Sequence, residues 1–400
     1  MGLRVLLWGR GVSALGDGLW FTTWALFFTR VLGLPLVTVG VGMAVAGAAG
    51  LLAAVPLGAV ADRHDPRAVL AAITVVRALA MASYLAVDGT WSFLAATVAF
   101  TAPANGGNAV RTALIAGLVA DHADRVRALA RQRVAQHVGY AIGAGVGALV
   151  LTADTRAAYT AAIAANVVTF GVLAATTLAV RKPSRPDGRR ADPRVVVRDR
   201  PYLAVVAVTS VLSLCWAMLS TGLPLWLSRA TDLPLALGGV VVVVSSAGIA
   251  VLQVPASRFA RDPEQAARTA VRSGVVLAAS CALLATTAGG AGAVGAAVVV
   301  AAALLHVVGE AGYVAAGWGL SVGLMREEAR GAYQGASEAA TATVQLFGPA
   351  VFTFALGGLG AGGWLAAAAI FLAAAAPVPA LTRWAARTRA MPGRPARTST

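Results

Sequence analysis

Six ionisable side chains stand inside long apolar stretches of this chain: Asp17, Arg77, Arg111, His306, Glu310 and Glu338. Each costs about 2.5–3.5 kcal/mol to place mid-membrane on insertion scales, so each is a candidate for function. His306 and Glu310 are four apart and share one face of a helix. Such a pair can exchange a proton or order a substrate amine, or it can simply satisfy itself. A carboxylate in a poorly hydrated cavity can hold and release a proton near neutral pH. Glu310 is the first candidate for that role and Asp17 the second, with a helix-end hydrogen-bonded cap as the competing reading of Asp17. Arg77 and Arg111 can counter these carboxylates or bind an anionic cargo. Glu338 reads as part of a helix N-terminus or a conformational latch. Trp20, Trp24 and Phe27 recur at four- and three-residue spacing on one face, a stripe suited to a flat apolar cargo. Interhelical or lipid packing would give the same stripe, and Trp216, Tyr313 and Trp318 pose the same choice.

Holding such residues requires spans, and the chain has them. Of its residues 58% are hydrophobic and 12% charged. Continuous apolar runs of roughly 20 residues are the length that crosses about 30 Å of hydrocarbon. In lipid the backbone must satisfy itself, so the runs predict helices, not an alternating outer-membrane barrel. The spacing predicts spans over 11–32, 36–60, 68–87, 91–119, 134–152 and 157–180. A second set follows over 201–227, 236–257, 269–288, 292–324, 332–356 and 362–381. The sets repeat each other. A shift of 199 aligns Arg30 with Arg229, Leu34-Pro35-Leu36 with Leu233-Pro234-Leu235, and Pro56 with Pro255. A shift of 205 aligns Arg125 with Arg330 and Gly143 with Gly348. The fold class expected is therefore an all-α membrane protein of twelve transmembrane helices in two pseudo-symmetric six-helix bundles, with a cavity at the midplane. The bundles are assigned to residues 1–180 and 201–382. Between them, 181–200 is a basic, proline-rich linker, and 383–400 is expected to be a disordered tail.

Charge placement orients the chain and excludes several functions. The net charge is +15. Arg30, Arg156 and Arg229 fall on one side of the spans, Arg77 and Arg111 within them, and nearly all other basic residues on the other side. That asymmetry predicts that both termini are cytoplasmic. No stretch outside the spans is long enough for a basic nucleic-acid-binding domain. The single lysine, Lys182, lies in Arg-Lys-Pro-Ser, so no P-loop can be written. Cys215 and Cys281 sit in apolar runs and read as buried hydrophobes. The four histidines have no zinc spacing. No nucleophile elbow or catalytic lysine supports an enzyme. The first apolar run continues as a full span, with no cleavable signal peptide evident.

The run Gly58-Ala-Val-Ala-Asp62-Arg63-His-Asp-Pro-Arg67 resembles the loop 2–3 signature of the major facilitator superfamily (MFS). Gly58, Asp62, Arg63 and Arg67 match it; Asp65 stands for its second glycine and Pro66 for one basic residue. This form, with Leu15-Gly16-Asp17-Gly18, is similar to the bacterial drug, siderophore and macrolide efflux branch. The resemblance implies that Gly58, Asp62, Arg63 and Arg67 form a cytoplasmic latch. Physically, Asp62 can accept from a helix N-terminus and Gly58 lets another helix approach. Gly139, Gly143 and Gly147 partly resemble an exporter glycine motif without its proline, and Gly348-Pro349 keeps that Gly-Pro pair. These residues are hinge candidates on that resemblance.

The expectation is a secondary active transporter that exports a hydrophobic or amphipathic small molecule, such as a drug or secondary metabolite, by proton-coupled alternating access. No cofactor beyond the proton gradient is expected and no metal. The expected partners are a small-molecule substrate and the lipid bilayer, in the bacterial inner membrane, with the protein acting as a monomer. The alternative is an MFS importer or facilitator, which would be expected to carry more Asn and Gln within its spans.

Overall fold

The computed structural model describes residues 2–183 and 194–390. Its first half contains α1 (Gly2–Leu26), α2 (Leu36–Arg63), α3 (Pro66–Ser83), α4 (Thr90–Leu118), α5 (His122–Ala153) and α6 (Arg156–Leu178). The second half contains α7 (Arg194–Arg198), α8 (Arg200–Ser210), α9 (Leu214–Ala217), α10 (Leu223–Ala230), α11 (Ala236–Ala256), α12 (Pro263–Ala285) and α13 (Gly292–Gly323). It ends with α14 (Arg330–Leu359), α15 (Ala361–Ala375) and α16 (Val378–Ala390), and no strand occurs among the described residues. Helices α8 to α10 join through a 3-10 turn and a π-helical turn into one span, Arg200–Ala230. Among the described residues ten segments are long and apolar enough to cross a membrane. Helices α1 and α4 complete the twelve; Arg4, Arg10 and Asp17 in the one, and the polar run from Asn105 to Arg111 in the other, lower their hydropathy. The all-α, two-bundle fold class is the observed one.

The halves use matching partners. Helix α2 packs on α4, and α3 on α4 and α6; α11 packs on α13, and α12 on α13 and α15. Local sequence starts many helices. Asp65 accepts from the Arg67 amide with Pro66 in the first turn, Asp121 accepts from Asp124, Thr155 from Ala158, and Asp262 from Gln265. Gly2 lies against Val180, whose carbonyl accepts from Arg67. Arg389 pairs with Asp199, which also accepts from Tyr333 at the start of α14. Both ends of the described chain thus lie on one face of the molecule, together with the α2–α3 turn. This is called the terminal face below.

Two boundaries differ from the sequence expectation. The charged stretch 121–133 is not a loop: it forms the first turns of α5, which runs unbroken from His122 to Ala153. The Asp121 cap and Asp124 in the first turn start the helix twelve residues before its apolar part. Residues 383–390, expected in a disordered tail, belong to α16, whose Thr382 and Ala385 are buried. Most of the basic linker, 184–193, and the tail 391–400 lie outside the described residues.

Candidate functional site

A cavity of about 290 Å³ lies between the bundles, walled by α4 and α5 on one side and by α9, α13 and α14 on the other. Six amide side chains face it: Asn105, Asn108, Gln132, Gln136, Gln334 and Gln345. Arg111 and Tyr313, both sequence candidates, line it, with Trp216 and Trp318 beside Tyr313. Trp216 and Tyr313 meet edge to face at 5.9 Å. The charged residues on its wall are Arg111, Arg133 and Glu338. Arg111 donates to Asn108 Oδ1 at 2.9 Å, and its buried Nε has no partner.

Glu310 stands just behind this wall. Its Oε1 accepts from Arg133 of α5 at 2.5 Å and from the Trp216 indole at 2.7 Å. The Arg133–Glu310 pair joins the two bundles. His306 does not hold Glu310 closely: its Nδ1 is 3.8 Å from Oε2, while its Nε2 is 2.8 Å from the Cys215 carbonyl. The expected His–Glu pair is thus subordinate to an Arg–Glu pair. Arg133 was missed because it sits in a charged run that reads as solvated loop. The cap pattern Asp121-x-x-Asp124 was the available signal.

Asp17 and Arg77 meet each other, but away from this cavity. Asp17 pairs with Arg10 at 2.9 Å and with Arg77 at 3.6 Å. The Arg77 guanidinium stands 4.7 Å from the ring centroids of both Phe100 and Phe170 and donates to the Phe100 carbonyl. Trp20 belongs to the first bundle's aromatic core, stacked on Tyr84 at 5.1 Å with Phe28 edge-on at 5.4 Å. Trp24 packs on Phe28 at 5.9 Å. Neither tryptophan lines the central cavity; their helical spacing serves interhelical packing.

Between the cavity and the terminal face the bundles are tied together. Asp62 accepts from the Gly331 amide at 2.6 Å and from the Ala332 amide at 2.8 Å. Helix α14 has no side-chain cap of its own, so its free N–H groups are satisfied by a carboxylate of the other bundle. Gly58 makes this possible: a Cβ there would stand 2.0 Å from the Gly331 carbonyl oxygen. Arg125 of α5 adds an ion pair to Glu327 at 2.5 Å, and Arg330 binds the same carboxylate. Arg63 and Arg67 are not part of this contact. Arg63 is exposed, and Arg67 pairs with Asp65 at 2.7 Å and donates to Val180 within its own bundle. The Arg67 hydrogen bonds hold the Asp65 carboxyl below the usual carboxylate range. On the other side of the cavity no hydrogen bond or ion pair joins the bundles among the described residues.

The hinge candidates pack tightly. Gly139, Gly143 and Gly147 are buried against α1; a Cβ at Gly143 would come within 1.9 Å of the Leu15 carbonyl oxygen. Gly348 faces Ala217 in the same manner, and Pro349 lies within the continuous α14. Among the described residues no His/Cys/Asp/Glu cluster could hold a metal.

The family profile described as Major Facilitator Superfamily matches residues 6–349. A bacterial homologue of the iron transporter ferroportin, in an outward-facing state, is 14% identical, with 97% of this chain and 100% of that one covered at a TM-score of 0.74. FucP in the outward conformation is 14% identical over 96% and 98% at 0.71. The human organic anion transporter MFSD10 is 15% identical over 96% and 98% at 0.68. None of the curated proteins compared with the chain matches it significantly.

Proposed function

We propose, for a chain that belongs to the Major Facilitator Superfamily and is a transporter rather than an enzyme, that it exports an amphipathic small molecule in exchange for protons. One observation carries this reading: a polar and aromatic cavity shared by both bundles, sealed towards the terminal face by contacts that single charges hold. Alternating access follows if those contacts break as the opposite side closes. The basic excess supports assigning the terminal face to the cytoplasmic side. The arrangement described is then the outward-facing state, with Asp62 and Arg125–Glu327 as the inner closure and Arg133–Glu310 as a tie at the level of the cavity. Export, rather than import, rests on the likeness of the Gly58–Arg67 run and of α5 to exporters.

The cavity narrows the cargo. A wholly apolar molecule would strip water from the amide atoms, and from the part of Arg111, that have no protein partner, at a cost of about 1–3 kcal/mol per lost hydrogen bond. An amphipathic cargo satisfies the amides on one side and stacks on Trp216, Tyr313 and Trp318 on the other. The same amides favour a second reading, a carrier that imports a polar metabolite.

Candidate cargoes are loaded into proteoliposomes holding the purified protein, and efflux is followed with and without an imposed pH gradient, acidic on the receiving side. Export by exchange requires that the gradient accelerate efflux. Accumulation driven towards the alkaline side would establish the importer instead. Orientation is checked separately: a reporter active only outside the cytoplasm stays silent after Arg190 and works near Asp88.

A further inference from the structure

Among the described residues three carboxylates reach the middle of the two bundles, and they are not equivalent. Asp17 is matched by Arg10 and Arg77, and Glu310 by Arg133 with the Trp216 indole. Both therefore have a guanidinium already in place. Glu338 makes no ion pair within 4.0 Å among the described residues. It lines the central cavity, where its carboxylate lies against the side-chain amide of Asn108, with Arg111 beyond. Asn108 uses its own oxygen to accept from Arg111, so the amide stands between the two charges. One of these charges is on α4 of the first bundle and the other on α14 of the second.

We propose that Glu338 is the position at which a proton and the cationic group of the cargo compete. This rests on the reading of the protein as a proton-coupled exporter and assigns the coupling residue within it. Ionised, Glu338 attracts an ammonium group, and the rings of Trp216, Tyr313 and Trp318 across the cavity take the cation's flank and the flat body of the cargo. A proton taken from water neutralises the carboxylate and removes that attraction, and the cargo leaves through the open side. Single occupancy by one or the other is all that obligatory exchange requires. Glu338 also rides on α14, seven residues from the Gly331 amide that Asp62 holds, so its occupant acts on the helix that carries the latch.

The charged and titratable groups that face Glu338 are few. Arg111 comes from α4, Arg133 from α5 with its partner Glu310, and Tyr313 from α13. Helix α2 brings only Asp62 and Arg63, at its terminal-face end, and α8 only Arg200 and Tyr202 at that same end. Helix α9 brings Cys215, and α15 carries none.

The test uses the full-length purified protein and tetraphenylphosphonium, a permanent lipophilic cation, as the probe. Equilibrium dialysis at about pH 6 and about pH 8 reads competition directly, because linkage makes cation affinity fall as the shared group takes up a proton. Wild type should bind about tenfold more weakly at the lower pH. Glu338→Gln should bind weakly and without pH dependence, Glu338→Asp should restore the dependence, and Asp17→Asn should keep it. A Glu338→Gln protein that retains wild-type affinity and pH dependence overturns the assignment, and so does a wild type that binds no cation at either pH. Transport separates the two levels of the argument. If gradient-driven efflux persists in Glu338→Gln, this assignment fails and the exporter stands. If wild-type efflux ignores the gradient, the exporter reading itself fails.

Discussion

The two interfaces that close the terminal face, α2 against α14 and α11 against α5, occupy matching places in the internal repeat and are built from different chemistry. The repeat carries Gly58 onto Ser257, Asp62 onto Arg261 and Gly331 onto Val126. In the first interface two backbones touch through glycines, and Asp62 serves the uncapped start of α14. In the second, α5 is capped by its own Asp121 and α12 by its own Asp262, so neither helix start needs a group from the other bundle. What ties α5 across is carried by side chains instead, Arg125 to Glu327 and Arg133 to Glu310. A helix that caps itself is free to leave, whereas one capped by its neighbour exposes bare N–H groups when it does. The first interface is therefore the sterically and directionally specific latch, whereas beside the second α5 is held by two charge pairs, to α13 and to the turn before α14, that tolerate sliding.

The comparison breaks most visibly at the glycines. Gly58→Leu places a side chain where even a Cβ would stand 2.0 Å from the Gly331 oxygen. Overpacking costs about 1–3 kcal/mol or more, so closure at the terminal face should weaken by about ten- to a hundredfold. Transport falls accordingly at normal expression, whereas Arg261→Leu, at the exposed turn after α11, changes it less than about threefold. Labelling of a cysteine placed in the cavity, from the terminal side of the membrane, reads the difference. If both substitutions behave alike, the interfaces are equivalent and the distinction is wrong.

Asp62→Asn comes next. It removes the charge and leaves an amide with one acceptor oxygen for two backbone N–H groups; hydrogen bonds to a charged group are worth about 1.5–3 kcal/mol, so transport should fall about tenfold or more. Asp262→Asn alters only a helix's own cap. It should cost no more than about 1 kcal/mol of thermal stability and leave transport at equal protein level intact. The smallest effect is expected for Glu327→Gln. Its carboxylate is 40% exposed, so the pair with Arg125 is screened and worth about 1 kcal/mol or less. Transport should change less than about threefold, and raising the salt in wild type should mimic the substitution.

Much of this is legible in the sequence. The spans follow from apolar length and their duplication from the internal repeat, and the contact of Gly58 and Asp62 with α14 follows from the likeness of the Gly58–Arg67 run to the loop 2–3 signature. The partner of Glu310 was not legible. Arg133 is 177 positions away, and only the fold brings them together. A charged run reads as solvated when burial is judged by composition, although Asp121 signals a helix start. The aromatic stripe of α1 left its two readings open for a related reason. Helical periodicity says that Trp20 and Trp24 share a face, but it does not say whether that face meets a cavity or another helix.

The glycine seam between α1 and α5 has a mechanical consequence. With Gly139, Gly143 and Gly147 seated on the α1 backbone, the two helices make one stiff beam. The Arg133–Glu310 contact is a fulcrum about a third of the way along α5. Eleven residues on one side of that point make an arm of about 17 Å, and twenty on the other an arm of about 30 Å, at 1.5 Å per residue. A tilt of about 10° then displaces the His122 end by about 3 Å and the Ala153 end by about 5 Å in the opposite direction. The beam is a lever with unequal arms: a small yield at the terminal face becomes a larger stroke at the far rim.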